Sequence, residues 1–353
     1  MSKILVINPG STSTKIAVYE ASAQIELFSV HHSVDELMHF PHVIDQFDFR
    51  YALIVSSLEE RNIPMDFSVV MGRGGMLPPV ESGIYEVNEK MLSTLRQAER
   101  GEHASNLGAF LADKIARQIP GCKAYIADPV SVDEMEEVAR ISGMPEIPRH
   151  SIFHALNHKA AGRFHASKAG KKYEEMNLVI AHLGGGVSVA AHKKGRVVDV
   201  NQGLDGYGPI SPERSGTIDA GLLVKLCFSG KHTETEILRK LAGKGGLTAH
   251  LGSNDVQELV KKAEGGDKKT AQLLHALAYS ISKEIGSMLV VLRGEVDGVI
   301  LTGGVAFSDY IVNMIKQMIK PYAQVFVLPG EDEMGALAAN AVRLLNGEQA
   351  KEF

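Results

Sequence analysis

Two segments of this chain follow one pattern, and that pattern leaves little choice of local fold. ILVINPGSTSTKIAVY (residues 4–19) and LVIAHLGGGVSVAAHKKGRVVDV (residues 178–200) each run an Ile- and Val-rich stretch into a turn of Gly, Ser and Asn or His. Each then returns as a second apolar stretch. Such runs, bounded by turn residues, read as buried strands. A turn rich in glycine and hydroxyl groups suits close backbone approach around an anion. A third element, DGVILTGGVAFSDYI (residues 297–311), leaves a strand through Thr-Gly-Gly and enters a helix, whose first N–H groups would face a phosphate. Two phosphate-type hairpins in two halves of one chain predict an α/β protein of two duplicated domains with a nucleotide in the cleft between them.

At 353 residues the chain is long enough for two domains with separate cores. Its 44% hydrophobic and 22% charged content is ordinary for a soluble globular protein. A net charge of −5 argues against general attraction to nucleic acid or an anionic membrane, so anionic substrates must be drawn by local cations. No apolar run approaches the ~18 residues of a spanning helix. The start, Met-Ser-Lys and then a strand, carries no signal-peptide pattern. A cytoplasmic protein is expected, with no membrane or nucleic-acid partner. Cys122 and Cys227 are isolated, lie among apolar residues and lack CxxC spacing, so they are expected as buried free thiols.

Helices are predicted over residues 35–46, 51–62, 88–100 and 153–168, with short strands at 68–71 and 124–127. The Pro- and Gly-punctuated stretch 143–148 is the expected linker. It gives a first domain of residues 1–147 and a second of 148–332. A last helix from 333 to 345 crosses back, so that 333–353 completes the first domain. The long helix 268–292 carries Leu273, Leu274, Leu277, Ile281, Ile285 and Met288 on one stripe, a core or an oligomer face. A homo-oligomer, dimer or higher, is expected.

Each polar motif has a functional and a plain reading. Asn8, Gly10, Ser11, Ser13 and Lys15 can bind phosphate oxygens or a metal-bound water, or can simply make a hairpin turn. They do not form the GxxxxGK[ST] loop, whose Lys sits on a helix. Gly184, Gly185 and Gly186, between His182 and Ser188, would weaken a sheet unless a ligand or another backbone comes close. Gly303 and Gly304 offer backbone N–H groups at a strand end. Arg73, His103, Asp128, His154 and Arg214 sit at turns or element ends, where such residues are more often structural than functional. His154 and His158 have the i,i+4 spacing of metal ligands but no third ligand nearby. Glu331, Asp332 and Glu333 precede the last helix. They serve either its N-terminal electrostatics or magnesium, which takes one or two carboxylates plus phosphates.

Taken in order, NPGSTSTK, GRGG, EHASN, FHALNH, HLGGGVS, ERSGTID, LTGG and GEDEM resemble the acetokinase family, the acetate and butyrate kinases, over nearly the whole chain. GRGG with GEHASNLG resembles the butyrate branch. The resemblance implies two ribonuclease H-like, actin-like ATPase domains. It also implies reversible transfer of phosphate from ATP to a short-chain carboxylate, butyrate or a branched acid such as isobutyrate, giving an acyl phosphate and ADP. By that resemblance Ser11, Ser13 and Lys15 face the phosphoryl group, and His182, Gly184, Gly185 and Gly186 hold the nucleotide phosphates. Gly303, Gly304 and Asp255 meet the adenosine. Arg73 and Arg214 bind the carboxylate and the transferring group, His154 stabilises the transition state, and His103, Phe153 and Gly206 line the acyl site. Asp128 lies near the magnesium ion, with Asn8, Glu331 and Glu333 as its candidate ligands.

Gln257 stands where acetate kinases place an Arg near the adenosine. Gly206 stands where they carry a Pro, which would leave room for a longer acyl chain at about 0.8 kcal/mol per buried methylene. The alternatives are an acetate or propionate kinase, a sugar or polyol kinase with Asp128 as base, and a nucleotide-gated interaction protein.

Overall fold

The computed structural model describes residues 2–204 and 206–353. The chain divides into two compact units, one running up to Val132 and including Asp332–Phe353, the other Asp133–Glu331. No helix among the described residues is long and apolar enough to cross a membrane.

The first unit is built on a six-stranded sheet of order β3-β2-β1-β4-β6-β5. The opening hairpin supplies β1 (Lys3–Pro9) and β2 (Ser13–Glu20), and β3 (Ala23–His31) extends it antiparallel. On the other side of β1, β4 (Val69–Arg73) and β6 (Lys123–Ala127) run parallel, and the short β5 (Ile84–Glu86) closes the edge antiparallel. Ile4, Leu5, Val6 and Ile7 of β1 are all fully buried, as expected of a central strand covered on both faces. Helices Leu107–Ala116 and Glu333–Leu345 both pack on β1 and β4.

The second unit repeats the plan with five strands in the order β11-β10-β7-β8-β9. Strands β7 (Asn177–Leu183), β8 (Val187–Lys193) and β9 (Arg196–Val200) form the antiparallel meander. Strands β10 (Gly298–Gly303) and β11 (Val325–Pro329) continue parallel from β7. The duplication seen in the sequence is therefore a duplication of topology. Helix Lys268–Val291 buries Leu274, Leu277, Ile281, Ile285 and Met288 in this unit's core, so its stripe is a core face, with Leu273 only half-buried beside it.

Four local expectations differ from what is observed. The helix predicted over 35–46 is broken into Val34–Leu37 and a 3₁₀ turn, Val43–Gln46, because Pro41 cannot donate to a helix and disfavours helical backbone before it. The units divide before Asp133, upstream of the 143–148 stretch. Glu136 N donates to Val198 O (2.9 Å), and Glu134 Oε2 accepts from Val197 N (2.8 Å), which ties this segment to β9. The strand end at Thr302-Gly303 leads into a four-residue 3₁₀ turn, Gly304–Phe307, and the α-helix begins only at Asp309, so no α-helix N-terminus stands at Gly303. Finally, Cys122 is half-buried and Cys227 is exposed. Helix Ala220–Cys227 buries none of its residues, so apolar sequence neighbours did not imply burial.

Candidate active site

In the first unit, the path to the site begins at the turn between β1 and β2. Arg50, from helix Phe47–Glu60, is 1% exposed and holds this turn from beneath. Its Nη1 donates to Gly10 O (2.8 Å) and Thr14 Oγ1 (3.2 Å), and its Nη2 donates to Ser11 O (3.0 Å). Burial lowers the Arg50 pKa to about 10, and burial together with the Arg50 charge lowers that of His32, bonded to Thr14, to about 4. His32 is thus neutral at pH 7. The turn that carries Ser11 and Ser13 is shaped by a buried cation that its own sequence does not announce.

Asn8 and Lys15 are directly opposed across β1 and β2, so their side chains share one face. Asn8 Nδ2 donates to Glu333 Oε2 (2.7 Å), and Arg73 Nη2 pairs with Glu333 Oε1 at 3.0 Å. Arg73 Nη1 is buried without a hydrogen-bond partner. The end of β4 reaches this place because Gly72 and Gly108 let strand and helix touch. A Cβ on Gly108 would fall 2.2 Å from Arg73 O. Partial burial and the Arg73 charge depress the His103 pKa, while Glu333 opposes them, which puts His103 in the same group. Asp128 is 1% exposed and holds the uncommon φ of 39° at the end of β6. Its Oδ1 accepts from Ser82 Oγ (2.6 Å) and Gly83 N (2.9 Å).

In the second unit the glycine turn after β7 borders a cleft of about 770 Å³. That is the size of a small-molecule site. Gly184, Gly185, Asp255, Gln257 and Gly304 line it, together with Glu213, Asn254 and Phe307, which the sequence did not single out. Asp255 also caps helix Val256–Glu264, its Oδ1 accepting from Glu258 N (3.0 Å). Glu213 Oε1 accepts from Asn254 Nδ2 (2.6 Å), and its other oxygen lies 3.0 Å from where a Cβ on Gly185 would stand. Gly303 has φ +89°, and a Cβ there would lie 2.5 Å from Leu183 O. Gly303→Val is therefore expected to abolish tight nucleotide binding, measured by calorimetric titration with ADP. Wild-type affinity would show that the strand end can shift without harm.

Arg214 stands beside the same turn. Its Nε is buried without a hydrogen-bond partner, and its Nε and Nη2 lie 3.4 and 3.5 Å from the Cβ position of Gly186. Among the described residues no carboxylate pairs with it. A buried guanidinium N–H left without an acceptor is costly, and an anionic ligand removes that cost. His154 and His182 stack with ring centroids 4.0 Å apart, and His182 Nε2 lies 3.4 Å from Glu331 Oε2. His158 is fully buried and bonded to Ser188 and His192.

Two acyl-site expectations need restating. Phe153 is 3% exposed and sets its ring edge-on against His158, with centroids 5.1 Å apart. The room expected beside Gly206 is filled, since a Cβ there would meet Gln202 Cβ at 2.8 Å, and Gly206 N donates to Gln202 Oε1 (3.0 Å). Arg50, Glu213, Asn254 and Ser188 were missed because their roles depend on contacts distant in sequence. Glu213, in ERSGTID, and Ser188, in HLGGGVS, lay within motifs already noted.

Two duplicated sheets of this order, each opening on a hairpin with a polar turn, define the actin-like ATPase fold. The fold matches acetate kinase from Porphyromonas gingivalis (TM-score 0.77, 21% identity, 98% of this chain and 100% of that one). It matches propionate kinase from Francisella tularensis equally well (TM-score 0.77, 19% identity, 96% and 99%). Residues 146–322 match the acetokinase family. Similar curated proteins include a probable butyrate kinase of Phocaeicola vulgatus, 53% identical over 98% of this chain and 97% of that protein. Butyrate kinase 1 of Clostridium acetobutylicum is 49% identical over the full length of both. The chain belongs to the acetokinase family and is a carboxylate kinase.

Proposed function

We propose that this protein moves the γ-phosphoryl group of ATP, reversibly, onto butyrate or a branched acid of similar size, forming an acyl phosphate and ADP. The observation that carries the reading is the buried, unsatisfied Arg214 Nε beside Gly186 of the glycine turn, whose neighbours Gly184 and Gly185 line the cleft, a place suited to a phosphoryl group. The preference for butyrate is supported by relatives of 49–53% identity that bear that name. Gly206 no longer supports it, because Gln202 occupies the space beside it.

A carboxylate with pKa near 4–5 is ionised at pH 7 and needs no general base. One of its oxygens attacks the γ-phosphorus as the bond to the β-phosphate oxygen breaks, and charge spreads over the three equatorial oxygens. What the protein must supply is alignment and relief of repulsion between anions. We assign the nucleotide to the cleft lined by Gly184, Gly185, Asp255 and Gly304, and the phosphoryl group in transfer to Arg214, His154, Ser11, Ser13 and Lys15. Arg73, with its buried open Nη1, takes the carboxylate, and His103 and Phe153 belong to the acyl site.

Among the described residues no group of three or more His, Cys, Asp or Glu could cage a metal. Magnesium binds through one or two carboxylates and keeps phosphate and water ligands, and the Glu333 carboxylate held between Asn8 and Arg73 suits that role. Asn8 and Glu333, the latter oriented by Asn8 and Arg73, are candidate ligands for the ion in the first unit and Glu331 in the second, with Asp128 a further acidic candidate. When bound it would neutralise phosphate oxygens.

The test is a substrate series from acetate to hexanoate with isobutyrate, read as acyl hydroxamate. kcat/KM is expected to rise about fourfold per methylene up to butyrate, as about 0.8 kcal/mol per buried methylene requires. Equal activity with acetate would refute the chain-length assignment.

A further inference from the structure

Behind His154 runs a line of polar groups that the reaction itself does not use. His154 Nδ1 lies 2.8 Å from Ser188 Oγ, and the same oxygen lies 2.8 Å from His158 Nε2. His158 Nδ1 then meets His192 Nε2 (3.2 Å), and His192 Nδ1 meets the Tyr173 hydroxyl (2.5 Å). Ser188, His158 and His192 are 0% exposed and Tyr173 is 4% exposed. All five come from one unit: Ser188 and His192 from β8, His158 from helix Ala155–Lys168, His154 from the residue just before it, and Tyr173 from the 3₁₀ turn Tyr173–Glu175.

On the carboxylate-kinase reading above, we infer that Tyr173, His192, His158 and Ser188 are positioning residues, a one-way hydrogen-bond chain that holds His154 neutral with its proton on Nε2. Burial holds the pKa values of His158 and His192 well below the usual histidine range, so both rings are neutral. A neutral imidazole has one donor nitrogen and one acceptor nitrogen, and the serine hydroxyl has one proton. The chain therefore has two consistent directions, and its buried end selects between them. A phenol, with pKa near 10, is a better donor than a neutral imidazole, and imidazole nitrogen is the better acceptor. Lys159 Nζ and the Arg163 guanidinium lie 5.7 and 5.8 Å from the Tyr173 ring centre, and their positive charge strengthens its O–H as a donor.

Tyr173 therefore donates to His192 Nδ1, and His192 Nε2–H donates to His158 Nδ1. His158 Nε2–H donates to Ser188 Oγ, and Ser188 O–H donates to His154 Nδ1. Ser188 Oγ still accepts from His154 N at 3.5 Å. His154 is left as a neutral Nε2–H donor. It can strengthen a hydrogen bond to a phosphoryl oxygen as charge builds there, without giving up a proton that the reaction does not need.

The experiment combines ¹⁵N-histidine NMR of the substrate-free protein with kinetics of Tyr173→Phe and Ser188→Ala, His154 being assigned from the resonances lost in His154→Gln. The expected wild-type result is a protonated Nε2 and an unprotonated Nδ1 at His154. Both variants should mix the two tautomers, and kcat with butyrate should fall about fivefold in Tyr173→Phe and about tenfold in Ser188→Ala, with KM for ATP unchanged. A proton on Nδ1 in the wild type overturns the inference. So does an unaltered tautomer in both variants, even if they unfold more easily, because that is what a purely structural role would give. Should one variant fail to fold, the other carries the test. The expected tautomers in a protein that forms no acyl phosphate from any carboxylate would uphold the chain and refute the proposed function instead.

Discussion

Arg214→Ala is expected to lower kcat by roughly 10²–10³-fold, the loss typical when one donor to a developing charge is removed, while ADP affinity changes little. The guanidinium has no carboxylate partner among the described residues, and its Nε is buried and unsatisfied. In the free protein it is therefore held at a cost, and it gains most where negative charge is concentrated. The cleft beside it is lined by Gly184, Gly185, Asp255 and Gly304 and does not include Arg214. Nucleotide binding should survive for that reason. Steady-state turnover with butyrate and calorimetric titration with ADP separate the two effects. Full turnover in a folded Arg214→Ala protein would remove this residue from phosphoryl transfer. An equal loss of ADP affinity would make it a ground-state binder.

The second large effect is on stability. Lys159 Nζ is 2.6 Å from Glu134 Oε2 and 2.8 Å from Gly195 O, with the two side chains 1% and 5% exposed. Glu134→Ala takes the carboxylate away from a buried ammonium, and removing one partner of such a pair typically costs about 3–5 kcal/mol. Against a total stability of ~5–15 kcal/mol, that brings the protein near its folding threshold at growth temperature. Glu134→Gln keeps an acceptor for Lys159 and for Val197 N, so it should lose less. Urea unfolding of both variants checks the ordering. A change below about 1 kcal/mol in Glu134→Ala would show that Lys159 finds another partner or reaches water.

The parts of this protein that were legible in its sequence rest on local rules. Apolar β-branched runs and Gly-rich turns defined β1, β2, β7 and β8, because strand burial and turn geometry are properties of a few consecutive residues. The last helix was expected at residues 333–345 and is found at Glu333–Leu345, since Asp332 accepts from Gly335 N as a cap and the apolar face follows at once. Motif order was enough to reach the family. Short elements such as β5 and helix Gly246–Leu251 escaped, as three to six residues carry too little periodicity to read.

Where burial or partnership had to be known, local rules failed. Cys227 sits among Leu222, Val224 and Phe228 and yet is exposed, because only packing decides which apolar helix is covered. The space beside Gly206 was expected to be open and is taken by Gln202, a matter of how one loop folds on itself. Arg50 lay just outside the helix expected over 51–62 and was not singled out, whereas contacts 36–40 residues away make it the support of the turn between β1 and β2.

The sequence by itself determined the duplicated strand–turn–strand plan, the family and the residue types available to an anionic substrate. The tertiary structure alone decided which cations are left unpaired, which glycines border the cleft, and which tautomer the His154 chain enforces. Those properties depend on the cost of burying a charge or a proton donor, and that cost exists only once distant segments have excluded water from around it.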